Sequence, residues 1–234
     1  MKILVIDDEK PTLSMFKLFL TAYGYEVYTA ESGEAGLELF QQIMPGIVFT
    51  DIKMPGIDGL KVLDRIRKAD NTVQVIIITG HGDMEKAVEA LDLNASDFIN
   101  KPVERQALNS ALERAEKRAQ MDMAQAFSCH VHQENKTALI KVSGRLTGSG
   151  KKALYGLKDN ISWEDTDHVV FGFDDSFSID RNGIKLLMGI LMEIKQHQVP
   201  LFMKGLSYNY IKFFQMAGMN KIVRFEDTQA PSVI

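Results

Sequence analysis

Four short apolar runs in the first half of the chain each end in a side chain able to do chemistry. Ile3-Leu4-Val5-Ile6 leads into Asp7 and Asp8, and Ile47-Val48-Phe49-Thr50 into Asp51. Val75-Ile76-Ile77-Ile78 leads into Thr79, and Phe98-Ile99-Asn100 into Lys101, which precedes Pro102. Runs this short, separated by helical patterns, read as parallel strands buried on both faces. An open parallel sheet binds ligands outside the carboxyl ends of its strands. The expectation is therefore that Asp7, Asp8, Asp51, Thr79 and Lys101 converge on one crevice. Three carboxylates cannot share it without a cation, and an oxygen-rich donor set suits Mg²⁺.

The remaining bounds exclude several classes. At 234 residues the chain is long for one small domain and comfortable for two. A net charge of -4 and a pI near 5.8 give no electrostatic case for nucleic-acid binding. The single cysteine, Cys129, cannot form an internal disulfide, so the fold does not depend on an oxidising compartment. Acids follow the first strand at once, which is unlike a signal peptide, and no apolar run approaches the roughly 20 residues of a membrane helix. A cytoplasmic location is the default expectation, with no membrane partner.

Helical spacing recurs between the strands. Leu13, Phe16, Leu20 and Tyr23 mark a first helix, with Pro11 in its first turn, where a missing N–H costs nothing. Tyr25 to Thr29 reads as a strand. Ser32 is the expected N-cap of a second helix carrying Leu37, Phe40 and Ile43. Met54-Pro55-Gly56-Ile57-Asp58-Gly59 is a turn-rich loop before a third helix marked by Leu60, Leu63 and Ile66. A fourth helix is predicted from about Asp83 to Leu93, and a fifth strand from Asp97 to Asn100. From Glu104 a fifth helix keeps its spacing with neither Gly nor Pro before Phe127, so it is expected to continue as a long connecting helix rather than a floppy linker.

The second half changes pattern. Ala138 to Val142, Val169 to Phe173, Val199 to Met203 and Ile222 to Phe225 are strand-like. Lys151 to Ile161 has helical spacing, and Ile184, Leu187, Met188, Leu191 and Ile194 mark an amphipathic helix. A last helix with Tyr210, Ile211 and Phe214 is closed by Gly218 in a C′ role. Cys129, His130 and His132 lack an evident fourth ligand, and no metal site is expected there.

Asp7-Asp8, Asp51, the loop from Met54 to Gly59, Thr79-Gly80 and Lys101-Pro102 occur in an order that resembles the receiver domain of two-component response regulators, over residues 1 to about 118. The resemblance implies a flavodoxin-like, doubly wound, five-stranded parallel sheet. It makes Asp51 the phosphoacceptor. It gives Mg²⁺ the ligands Asp8, Asp51 and the backbone carbonyl of Lys53, with Asp7 acting through water. Lys101 and Thr79 would bind phosphoryl oxygens, Gly80 would leave room beside them, and Phe98 would be the aromatic switch. Lys53 and His81 flank the site where side chains could tune the phosphate lifetime.

From about 127 onward the chain resembles a STAS domain, the fold of anti-sigma-factor antagonists, in a mixed-sheet α/β arrangement. The resemblance rests on the order of elements and on Leu139 to Leu146, Val169 to Phe173, Ile179 to Ile184, Gly205-Leu206-Ser207 and Ala217-Gly218-Met219. The domains are thus expected at 1–118 and 127–234, with a helical linker over 119–126. Such domains carry Asp-Ser-Ser-Gly before the long helix and take phosphate on the second serine. Here the match is Asp180-Arg181-Asn182-Gly183, so Asn182 stands at the acceptor position and cannot be phosphorylated. Asp180 remains a sound N-cap. Ser176 and Ser178 precede the helix and are not taken as acceptors.

The implied function is a response regulator rather than an enzyme, catalysing at most its own phosphotransfer and dephosphorylation. A sensor histidine kinase or phosphotransfer protein would act upstream. An anti-sigma-like kinase, a phosphatase or a scaffold would be bound by the STAS domain. A homodimer through the alanine-rich linker helix is a further expectation. The alternatives are a DNA-binding transcription factor, which would need a recognition helix or basic face, and a STAS domain that binds a small ligand.

Overall fold

The computed structural model describes residues 1–80, 83–121 and 126–226. It divides the chain into two compact units, Met1–Met121 and Asp122–Ile234.

In the first unit, β1 (Lys2–Ile6), β2 (Glu26–Ala30), β3 (Ile47–Asp51), β4 (Gln74–Thr79) and β5 (Asp97–Asn100) form one parallel sheet in the order β2-β1-β3-β4-β5. Parallel neighbours need crossover connections. These are α1 (Lys10–Ala22), α2 (Gly33–Ile43), α3 (Gly59–Ala69) and α4 (Met84–Asp92), and α5 (Arg105–Ala119) follows β5. Every residue of β3 and β4 is buried, which is why their runs Ile47-Val48-Phe49 and Val75-Ile76-Ile77-Ile78 are apolar without alternation. The strand order reverses between β1 and β3, so the crevice of this sheet opens at the ends of those two strands.

Local chemistry fixes the helix starts. The Ala35 amide donates to Ser32 Oγ at 3.2 Å, and the Lys61 amide to Asp58 Oδ1 at 2.8 Å. The helix expected to run through 126 stops at Ala119, where Gln120 caps it. Lys117 and Arg118 fill its last turn, where cations suit the negative end of the helix dipole, so that charge pattern was a stop signal rather than a continuation. Residues 122–125 of the expected linker lie outside the described residues.

In the second unit, β6 (Ser128–Glu134) and β7 (Thr137–Ser143) form an antiparallel hairpin. Its turn residues, Asn135 and Lys136, both have positive φ (48° and 63°), the geometry that follows strand twist in a two-residue turn. With β9 (His168–Phe173), β11 (Leu201–Lys204) and β12 (Arg224–Phe225) they make a mixed sheet ordered β12-β11-β9-β7-β6. A separate parallel pair joins β8 (Arg145–Leu146) to β10 (Ser178–Ile179). The helices are α6 (Lys151–Tyr155), α7 (Arg181–Lys195) and α8 (Tyr208–Met216).

Two expectations shorten here. The helix read over Lys151–Ile161 gives way at Gly156 to a 3₁₀ segment, Gly156–Asn160, because glycine is a poor helix interior. The last strand covers only Arg224–Phe225, after a 3₁₀ turn over Met219–Lys221. Gly218 closes α8 with φ +83°, a left-handed residue in the C′ position. An aromatic chain runs through this core: Phe173 and Phe177 are 4.5 Å apart between ring centroids, and Tyr210 and Phe214 5.9 Å apart. Trp163 stacks on His197 at 3.8 Å and 6°.

Candidate functional site

Ile6 of β1 pairs with Thr50 of β3, so Asp7 and Asp51 emerge side by side, one residue further along each chain. Both carboxylates are buried, Asp7 at 0% exposure and Asp51 at 4%. The backbone holds them there. The Lys53 amide donates to Asp51 Oδ2 at 2.7 Å and the Glu9 amide to Asp7 Oδ1 at 2.9 Å. Gly59 lets α3 start against the end of β3: a Cβ at that position would lie 2.0 Å from the Asp51 carbonyl oxygen.

Lys101 reaches in from the end of β5. Its Nζ is 2.8 Å from Asp51 Oδ1, 3.1 Å from Asp7 Oδ2 and 3.1 Å from Glu9 Oε2. Burial raises the Asp7 and Asp51 carboxyls above the usual carboxylate range, and Lys101 only partly offsets it. Burial also works to lower the Lys101 ammonium. The hydrogen bonds it donates to Asp51 and Asp7 outweigh that, and the group stays charged well past its ordinary range. The Lys101 side chain holds exposed Glu9 below the usual carboxylate range.

Asp8 is exposed, and among the described residues no hydrogen bond or ion pair joins it to Asp7, Asp51 or Lys101. The convergence read from the sequence thus gathers two of the three expected acids around Lys101, with Glu9 added. Among the described residues no three His, Cys, Asp or Glu side chains form a ready metal cage. The donor chemistry nevertheless fits a hard cation. Asp7 Oδ2 is buried with no hydrogen bond to satisfy it beyond the ion pair to Lys101, and the nearby acceptors are carboxylate oxygens.

Thr79, at the end of β4, is buried, and its hydroxyl donates to the Gly80 carbonyl at 3.1 Å. Phe98 on β5 lies inside, at 2% exposure. Lys53 Nζ pairs with Asp83 Oδ2 at 2.6 Å. A Cβ at Gly80 would lie 3.4 Å from Asp83 Oδ2, in van der Waals contact with it. His81 lies outside the described residues.

In the second unit Asp180 caps α7, accepting from the Gly183 amide at 2.7 Å. Gly183 is required by space, because a Cβ there would lie 2.1 Å from the Leu146 carbonyl oxygen. Asn182 is exposed and sits against Gly148. Ser178 is buried, and Ser176 accepts from the Gly144 amide at 2.9 Å while donating to Asp174 Oδ1 at 2.5 Å. Sequence reasoning missed Glu9. The signal was there: it is the third acid of Asp7-Asp8-Glu9, and alternate residues leaving a strand share a side.

The model of the response regulator receiver domain matches residues 3–113, and that of the STAS domain matches residues 96–230. The overlap falls on β5 and α5, which lie in the first compact unit. The chain is similar to regulatory protein AtoC of Escherichia coli, 34% identical over 58% of this chain and 29% of that protein. It is also similar to transcriptional regulatory protein FixJ of Rhizobium meliloti, 37% identical over 47% of this chain and 54% of that protein. It therefore spans less than two thirds of the length of these curated relatives. A response regulator receiver domain protein of Clostridium thermocellum, known as a crystal structure, is 41% identical and covers 50% of this chain and 94% of its own, with TM-score 0.48. Among the described residues no helix is long and apolar enough to cross a membrane. Receiver domains are signalling modules that act with a histidine kinase or phosphotransfer partner and generally bind Mg²⁺ at the phosphorylation site, and STAS domains bind protein partners. The chain belongs to the STAS family and carries a response regulator receiver domain ahead of its STAS domain.

Proposed function

We propose that this chain is a cytoplasmic response regulator in which phosphorylation of Asp51 controls protein binding by the STAS unit. The observation that carries the reading is the Asp51 carboxylate, buried at the end of β3 with the Lys101 ammonium 2.8 Å from Oδ1 and the Lys53 amide 2.7 Å from Oδ2.

One Asp51 oxygen attacks the phosphorus of a kinase or phosphotransfer phosphohistidine. The new O–P bond forms as the N–P bond breaks, and the departing imidazole keeps the electron pair and takes up a proton. Lys101 is a point charge already aimed at this oxygen, and it follows the phosphoryl group as charge arrives. The Thr79 hydroxyl turns from the Gly80 carbonyl to a phosphoryl oxygen. Mg²⁺ would be held by Asp8, Asp51 and the Lys53 carbonyl, with Asp7 acting through water. When bound, it neutralises charge on the phosphoryl oxygens.

Phe98 lies next to this change, one strand over from Thr79, and its ring is the element that reshapes the surface of β5 when Thr79 moves. Asn182 supports placing control at Asp51, because an amide cannot accept the phosphoryl group that a serine takes there. The output partner is an anti-sigma-like kinase, a phosphatase or a scaffold. Dimerisation through α5 and the residues after it is part of the same proposal.

Incubation with acetyl phosphate and Mg²⁺ tests the first step. The expected result is a mass gain of one phosphoryl group that Asp51→Ala abolishes. No gain, or a gain surviving that substitution, removes the proposal. Pull-downs with wild type and Asp51→Ala then test the output.

A further inference from the structure

β6 is the edge of the mixed sheet, with β7 on its inner side. Alternate residues of a strand share a face. On β6 that alternation separates ligand-type side chains that lie together in the sequence. Cys129, Val131 and Gln133 fall on one face, whereas His130, His132 and Glu134 fall on the other and are all exposed. Gln133 pins the first face. Its Nε2 donates to Thr166 Oγ1 at 2.8 Å and to the Ser162 carbonyl at 3.1 Å, and its Oε1 accepts from the Ser162 amide at 3.0 Å.

The histidine face is therefore carried by a fixed strand. His130 pairs with Lys141, His132 with Leu139 and Glu134 with Thr137. Two residues apart on an extended strand, His130 and His132 have Cα atoms roughly 7 Å apart. Two imidazoles at that spacing reach one ion between them, since each ring nitrogen sits about 2 Å from the metal it binds. Among the described residues His130 makes no hydrogen bond or ion pair. Glu134 Oε2 lies 3.5 Å from His132 Nε2, so a carboxylate charge stands beside the pair and offsets the Lys141 ammonium across the ladder. Three side chains strung along one strand do not close on a single ion, in keeping with the lack of a three-ligand cage among the described residues, but two neighbours do.

We propose that His130 and His132 chelate a late first-row divalent ion, Zn²⁺, Ni²⁺ or Cu²⁺, with Glu134 supplying negative charge beside it and water completing the coordination. Imidazole favours these ions, whereas Mg²⁺ takes carboxylate, carbonyl and water oxygens. The site is thus distinct in chemistry from the acidic pocket around Asp51 and does not depend on phosphorylation there. An ion held by two ligands on an exposed edge strand keeps open positions, so it exchanges with the medium and the fold does not require it.

Isothermal titration of the full chain with Zn²⁺ at neutral pH, in a buffer holding excess Mg²⁺, tests it. One saturable site is expected. H130A and H132A, both at exposed positions, keep their circular dichroism and each lower the affinity about tenfold or more, because a single imidazole loses the chelate. E134Q weakens binding about threefold and does not abolish it. C129S and D51A bind Zn²⁺ as wild type does. Affinity falls as the pH drops from about 7 to about 5.5, since a protonated imidazole cannot ligate. Three outcomes overturn the proposal: no saturable Zn²⁺ binding up to about 1 mM, equal affinity in the double variant H130A/H132A, or loss of the site in D51A.

Discussion

The Lys101 ammonium and the Asp51 carboxylate meet at 2.8 Å, one partner partly open to water and the other almost fully buried. Removing the lysine leaves Asp7 and Asp51 as two buried acids whose remaining side-chain neighbour at the ion pair, Glu9, has the same sign. Lys101→Ala is expected to cost about 2 kcal/mol in the absence of metal, less than a fully buried pair because the lysine is partly exposed. Added Mg²⁺ should recover more stability in the variant than in wild type. Urea titrations with and without Mg²⁺ measure both, and an unchanged midpoint contradicts the first.

Asp7 gives a pH test. Burial raises the Asp7 and Asp51 carboxyls, so the folded chain holds protons that the unfolded chain has already released. Their stabilising contribution is present below the ordinary carboxylate pKa of about 4 and is lost as pH rises through their elevated values. Asp7→Asn escapes that loss. In EDTA it should gain about 1 kcal/mol at neutral pH, with the gain shrinking as pH falls towards about 4. Thermal melts over that range decide it; a gain that grows in acid would be wrong in sign.

Phe98 separates packing from signalling. Its ring is buried at 2% exposure, so Phe98→Ala should cost about 3 kcal/mol, while Phe98→Leu should cost under about 1.5 kcal/mol. Phe98→Leu should still take up phosphate at Asp51 but lose the phosphorylation-dependent change in partner capture. Mass spectrometry paired with pull-down reads both, and capture that responds normally in the leucine variant counts against the ring as a switch.

At the start of α7, Asp180→Ala should cost about 1 kcal/mol through loss of the cap to the Gly183 amide. Exposed Asn182→Ala should stay within about 0.5 kcal/mol. Neither should alter labelling of Asp51. Chemical denaturation of the two variants side by side distinguishes a cap from a ligand position.

Cys129 should be a poor nucleophile. Burial pushes its thiol up to about 11. Relative to an ordinary free thiol, the thiolate fraction at neutral pH is about a hundredfold lower. Iodoacetamide labelling should be slow at neutral pH and climb steadily towards pH 11. A rate plateau near pH 9 would show an unshifted thiol.

The first sheet was legible because its chemistry sits at strand ends. Uninterrupted runs such as Val75 to Ile78 announce burial on both faces, and the polar residue after each run marks the crevice edge. Pattern alone could not tell that Asp8 faces solvent while Glu9 reaches Lys101, since that depends on where the backbone turns after β1. The second unit was less legible. β8 and β10 are two residues each, too short for any period to register. Gly156 broke a run whose apolar spacing looked helical, and the hairpin turn at Asn135-Lys136 lacked the glycine that usually flags it. Lys117 and Arg118 were read as continuation when their charge suited a helix end.

The indole of Trp163, flat against the His197 imidazole, gives the protein a built-in optical reporter. It is the only tryptophan of the chain, so emission excited at its red edge comes from the C-terminal unit. Any ligand or phosphorylation event that parts the two rings should change its brightness, and unfolding confined to the N-terminal unit should leave that emission unchanged.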